Sequence, residues 1–92
     1  MSIDERQIIA DWRERGFRPR MWTGYPGREW RGYRYEEDAL FLILDGAMLI
    51  EMDGQTIQPG PGEEVLIPAG TVHDIVVTGG DTARWLYGRR KG

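Results

Sequence analysis

Gly62-Glu63-Glu64-Val65-Leu66-Ile67-Pro68-Ala69-Gly70-Thr71-Val72-His73 is an apolar run bracketed by two glycines and a proline, closed by the chain's single histidine. Val65 to Ile67 suits a pleated, half-buried strand. Pro68 ends it, because proline has no N–H to give a sheet ladder. Gly70 follows where a tight turn calls for positive φ. Val72 to Val77 then resumes as a second strand. The order is strand, Pro-x-Gly turn, strand, with one imidazole just past the turn. An ordinary hairpin with a surface histidine is the bland alternative.

The fixed positions are Gly62, Pro68, Gly70 and His73, with five residues before the proline and two before the histidine. In this pattern the segment resembles the second signature of the cupins. Val77 stands where that family often has an asparagine. The resemblance implies an all-β fold, a cupin-type antiparallel β-barrel (double-stranded β-helix, or jelly roll), over residues 17–88. One N-terminal α-helix, residues 1–16, precedes it and a basic tail, 89–92, follows, all within one domain.

The rest of the chain reads consistently with that frame. Ser2-Ile3-Asp4-Glu5 fits a capping box with Ser2 as the N-cap, and Ile8, Ile9 and Trp12 share a helical face up to Gly16. Strands are expected at Phe17–Thr23, Arg28–Tyr35, Leu40–Leu44, Ala47–Met52, Gln55–Gln58, Val65–Ile67, Val72–Val77 and Ala83–Tyr87. Asp53-Gly54 is a strong hairpin signal, since a type I′ turn needs positive φ at both centres. The tail from Arg89 is expected to fray.

The resemblance also implies an earlier signature of two histidines and an acid ahead of the Asp45-Gly46 turn. Counting back from Gly46 puts the acid at Ala39 and the histidines at Tyr33 and Tyr35, or at Gly32 and Arg34 with a longer spacer. None of these positions carries a histidine or a carboxylate. In the family those residues and the later histidine hold a metal together, and only His73 survives here. A phenol ionises near pH ten and is a poor ligand at neutrality. No tightly bound transition metal is therefore expected, and no cofactor. A weak, low-occupancy divalent site could use His73, Asp38 and a tyrosine, although Asp38 would need a register slip that flips its side chain across the strand.

A polar cluster can take the metal's place. By alternation Tyr33 and Tyr35 share a face, which the family frame points into the barrel with His73. An imidazole beside two phenols can hold a small polar molecule or pass protons. The bland alternative is a filled core in which these groups satisfy one another. Trp85 and Tyr87 share a face of the last strand, and Trp30 falls on the face opposite Tyr33 by strict alternation. Tyr33, Tyr35, His73, Trp30 and Trp85 are the ligand-binding candidates; His73, Tyr33 and Tyr35 are the catalytic ones. His73 and Asp74 are no dyad, because neighbours on a strand face apart. A Ser-His-Asp triad fails, since Ser2 is the only serine.

Composition narrows the classes further. The chain has 92 residues, 40% hydrophobic, with no cysteine, which excludes disulfides, thiolate metal sites and cysteine nucleophiles. The longest apolar run, Ala39 to Leu44, is strand-sized, so no membrane span is expected, and Met1-Ser2-Ile3-Asp4 does not open a signal peptide. A cytoplasmic location is the default. Residues 1–34 hold eight arginines against five acids, whereas Tyr35 to Ala83 holds ten acids and no lysine or arginine. The basic ends are expected to lie across the acidic middle, not to bind nucleic acid. Three functions remain. One is a small-molecule-binding or interaction module that has lost the usual metal. Another is an enzyme, either isomerase- or epimerase-like without metal or dioxygenase-like with nonstandard ligands. The third is a homodimer pairing through the Phe17–Thr23 edge with Trp12 and Trp22, compatible with either.

Overall fold

Runs of strand-forming residues between glycine- and proline-marked turns become eight strands behind one helix in the computed structural model, which describes residues 3–90. The elements are α1 (Glu5–Glu14), β1 (Phe17–Gly24), β2 (Glu29–Tyr33), β3 (Ala39–Asp45), β4 (Met48–Met52), β5 (Gln55–Ile57), β6 (Glu64–Ile67), β7 (His73–Val77) and β8 (Ala83–Arg90). They form two four-stranded sheets, ordered β1-β8-β3-β6 and β2-β7-β4-β5. Every paired neighbour is antiparallel. Asp53 and Gly54 take φ of 52° and 73°, the double positive φ expected of the β4–β5 turn.

The helix is capped by Asp4, whose carboxylate accepts the Gln7 N–H at 3.1 Å. Ser2, the expected cap, lies outside the described residues. Gly16, at φ 90°, releases the chain into β1.

The continuous apolar run of β3 is explained by burial on both faces. Ala39, Phe41 and Ile43 face the space between the sheets, packing with Met48, Ile50, Ile67, Ile75 and Val77. Leu40, Leu42 and Leu44 face outward, where Trp12, Phe17 and Leu86 join them beneath α1. Trp12 is fully buried there. This corrects the expectation that it offers surface for pairing two copies: the hydrophobic face of α1 is used up within the chain.

The Trp12 Nε1–H donates to Glu64 Oε1 at 3.1 Å, and Arg15 grips the same carboxylate at 2.8 and 2.9 Å. The Arg15 hydrogen bond, helped by its charge and by Trp12, holds the Glu64 carboxyl below its ordinary value against the opposing effect of burial. A carboxyl with a lowered folded value stabilises the native state fully above the unfolded value of about 4.3. That stabilisation disappears as pH falls through the lower folded value. Glu64→Gln should therefore be less stable than wild type at neutrality and converge with it in acid. Thermal melts from pH 7 to pH 3 check this, and parallel curves would refute it.

The arginine-rich ends do lie across the acidic middle. Arg84 pairs with Asp45 at 2.7 Å and Glu5 at 3.0 Å, Arg90 with Asp38 at 2.7 Å, and Arg18 with Glu37 at 3.2 Å. Exposed pairs like these contribute about 0–1 kcal/mol each, so they orient the ends more than they hold the fold. The expected fraying from Arg89 is not found. β8 runs through Arg90, which pairs with Phe17 and donates its N–H to the Asp38 carbonyl at 2.9 Å. Lys91 and Gly92 lie outside the described residues. No helix among the described residues is long and apolar enough to cross a membrane.

Candidate functional site

The site is built where β2 bends. Trp30 pairs with Ile75 and Tyr33 with His73, so two residues of β2 face one of β7 and the register shifts between them. Gly32, at φ 72°, is the extra residue. A Cβ there would meet nothing within 4 Å, so the glycine serves conformation, not space. Asp74 holds the bulge by accepting the Gly32 N–H at 2.7 Å and the Arg31 guanidinium at 3.1 Å. The consequence is a correction to simple alternation. Trp30 and Tyr33 are brought to the same cavity instead of opposite faces.

His73 opens β7 and is 2% exposed. Its Nδ1 lies 3.1 Å from the Thr71 carbonyl oxygen. A carbonyl only accepts, so Nδ1 donates to it and Nε2 is the ring nitrogen left for other partners. The Tyr35 ring centre is 5.8 Å from the imidazole, 6.4 Å from Tyr33 in a stacked arrangement and 6.1 Å from Tyr87. The Pro-x-Gly turn is tied to this cluster directly, since the Gly70 N–H donates to the Tyr35 carbonyl at 2.8 Å.

The opposite wall comes from β8 and its partner β1. Trp85 meets Trp30 edge to face with ring centres 5.4 Å apart. Gly24 makes room for them, because a Cβ there would lie 3.0 Å from Trp85 and 3.1 Å from Trp30. Tyr87 and Trp22 extend the wall, and Ile75 completes it. The enclosed space is about 140 Å3 and opens to solvent, with Trp22 44% and Tyr33 43% exposed at its lip. A cavity of roughly 150 Å3 accepts a benzene-sized molecule.

The Tyr87 hydroxyl is buried beside the Tyr35 phenol, without a well-formed hydrogen bond to any described residue. Burial, reinforced by the neighbouring Tyr35 phenol, pushes its ionisation far up, so it remains a donor at any working pH. In the filled-core alternative this hydroxyl is the one buried side-chain polar atom, among the described residues, that no protein group satisfies.

All five ligand-binding candidates, Tyr33, Tyr35, His73, Trp30 and Trp85, line this one cavity. Asp38 does not; its carboxylate accepts the Ala69 N–H at 2.8 Å and Arg90 at 2.7 Å. Trp22, Ile75 and Tyr87 were not among the candidates. Tyr87 was legible from its shared face with Trp85, whereas Trp22 depends on which strand β1 pairs with.

The donors at the positions where the resembled family holds metal are one imidazole, two phenols and the methyl of Ala39. Divalent first-row ions take several imidazole, carboxylate or thiolate ligands, and this set does not fit them. Among the described residues no three His, Asp or Glu side chains are grouped to hold an ion.

A family model described as a cupin domain matches residues 24–87. A cupin superfamily protein from Desulfitobacterium hafniense is 25% identical, with a TM-score of 0.73 over 83% of this chain and 68% of its own. A polyketide cyclase from Streptomyces resistomycificus is 28% identical, with a TM-score of 0.70 over 80% of this chain and 54% of its own. A predicted oxalate decarboxylase from Thermotoga maritima is 18% identical, with a TM-score of 0.74 over 87% of this chain and 71% of its own. This chain therefore spans little more than half of the cyclase. The search of curated proteins returns no match.

Proposed function

Because this chain belongs to the cupin family, we propose that its aromatic cavity binds a small molecule without the family's usual metal. The observation that carries the reading is the open cavity itself, lined by Tyr33 and Tyr35 at the positions of lost ligands and by the surviving His73. Aromatic rings supply the contact area, while the Tyr87 hydroxyl and the His73 imidazole supply polar anchors. Thermal shift against small sugars, keto acids and ring-bearing acids tests it. At tenfold excess over its Kd a true ligand stabilises by about 1.4 kcal/mol, a rise in Tm of roughly 6–11 °C. That rise should vanish in Tyr35→Leu and His73→Ala. Stabilisation that survives both substitutions, or near-equimolar metal in the purified protein that is lost in His73→Ala, would overturn the proposal.

One observation favours an enzymatic second reading. The Thr71 carbonyl engages His73 Nδ1 and leaves Nε2 free to exchange a proton, in a residue that lines the same cavity as three phenols, the kind of pair that proton transfer needs. The similarity to a polyketide cyclase is compatible with such chemistry. Turnover of a bound compound that His73→Ala abolishes would establish it. Pairing of two copies along β1 belongs to the same proposal, with Met21 and Trp22 as its exposed apolar residues; a monomer in sedimentation at micromolar concentration would sink that part.

A further inference from the structure

The wall of the cavity does not end at Tyr87. β1 and β8 pair in register, with Trp22 opposite Trp85, Arg20 opposite Tyr87 and Arg18 opposite Arg89. Side chains two residues apart share a face, and such rungs lie roughly 7 Å apart. Trp22, Trp85 and Tyr87 all line the cavity, so the two rungs that follow place guanidinium groups on the same face. A second hollow of about 160 Å3 shares Trp22, Tyr35 and Tyr87 with the first and is otherwise walled by Arg18, Arg20, Gly88 and Arg89.

Arg18, Arg20 and Arg89 are set apart from the other arginines by converging on one hollow. Like charges directly opposite one another on paired strands are destabilising, yet Arg18 and Arg89 are such a pair. Glu37 compensates Arg18 at 3.2 Å. Arg89 instead lies over the Tyr35 ring at 4.5 Å, and among the described residues neither Arg89 nor Arg20 has a carboxylate partner. Arg6, Arg13, Arg28 and Arg34 also lack one among the described residues, but only Arg20 and Arg89 share a hollow with Arg18 and the cavity's aromatic residues. The result is two adjoining hollows, one mainly aromatic and one mainly cationic, with Tyr87 lining both.

We propose that the cavity takes a small ring-bearing anion, with its ring among Trp30, Tyr35 and Trp85 and its carboxylate or phosphate group on Arg20 and Arg89. This rests on the ligand-binding reading above and names the class of ligand. The first hollow is sized for one ring, and a linker of a few atoms spans the distance to the neighbouring arginine rung. Guanidinium recognises both oxyanions in the same forked geometry.

Intrinsic tryptophan fluorescence of the full chain reads binding, because Trp22, Trp30 and Trp85 border the space. The probes are 3-phenylpropanoate, phenyl phosphate, and 3-phenylpropanamide as the neutral counterpart. The acids should bind at least tenfold more tightly than the amide and weaken as salt rises. Arg20→Gln and Arg89→Gln, both at exposed positions, should each cost the acids about tenfold and the amide less than threefold, so that the preference for acid over amide collapses. Equal binding of acid and amide, both lost in Tyr35→Leu, would overturn the anion anchor while the cavity reading stands. Acid binding that survives Tyr35→Leu would overturn the ring's placement. No quenching by any probe at millimolar concentration would overturn this proposal, and only failure of the broader thermal-shift screen as well would remove the cavity reading.

Discussion

Trp12→Ala is expected to destabilise the protein by about 3–5 kcal/mol, the range for truncating a buried aromatic. Trp12 is the largest side chain of the outer core and is fully enclosed by Leu40, Leu42, Leu44, Phe17 and Leu86. Its loss leaves a void that the leucines of β3 cannot close without leaving the face they share with α1. It also removes the N–H that Glu64 accepts. For a chain of this size the change corresponds to a fall in Tm on the order of 20 °C. Trp12→Phe keeps the ring and loses only the hydrogen bond, so its cost should be a fraction of that. Urea unfolding of the three proteins gives the comparison. A cost below about 1 kcal/mol for the alanine variant would mean that α1 is dispensable.

Gly46→Ala is the second substitution expected to act strongly, with a loss of about 2–4 kcal/mol from backbone strain and overpacking together. Gly46 sits at φ 90°, and a Cβ there would lie 2.8 Å from Ala83 Cα and 2.9 Å from Ala83 Cβ. Those atoms belong to the start of β8, a strand held on one side by β1 and on the other by β3, so they cannot step aside cheaply. Gly54 offers the control. Its φ is 73°, but a Cβ would meet nothing within 4 Å, so Gly54→Ala should cost only about 1 kcal/mol. Equal losses at the two positions would show that the contact with Ala83 contributes nothing.

The fold was legible because its punctuation is written in residue types with few alternatives. Pro68-Ala69-Gly70, Asp53-Gly54 and Asp45-Gly46 each admit a narrow set of turns, and the runs between them follow strand patterning. The cavity's lining was legible for Tyr33, Trp85 and His73, which lie on strands, and for Tyr35, which lies past the end of β2 and is tied in by the Gly70 N–H. It failed where geometry is nonlocal. The bulge at Gly32 depends on an Asp74 carboxylate 42 positions away, and without it Trp30 reads onto the wrong face. Trp12 and Trp22 look alike as aromatics near the N-terminus. One is swallowed by the sheet and the other stands at a cavity lip, a difference set by the pairing of β1 with β8. The cationic rungs are invisible for the same reason, since Arg18, Arg20 and Arg89 meet only through that register.

β3 belongs to both cores at once, and this has a consequence for how the protein comes apart. Ala39, Phe41 and Ile43 hold the inner assembly while Leu40, Leu42 and Leu44 hold the outer one. Neither assembly can be released without exposing the strand that the other depends on. Subglobal opening should therefore be confined to the periphery, and the amide protons of β3 should exchange with solvent only through complete unfolding. A chain this short should then behave as a single cooperative unit, in which any ligand gripping β8 would be felt beneath the helix on the far side of the sheet.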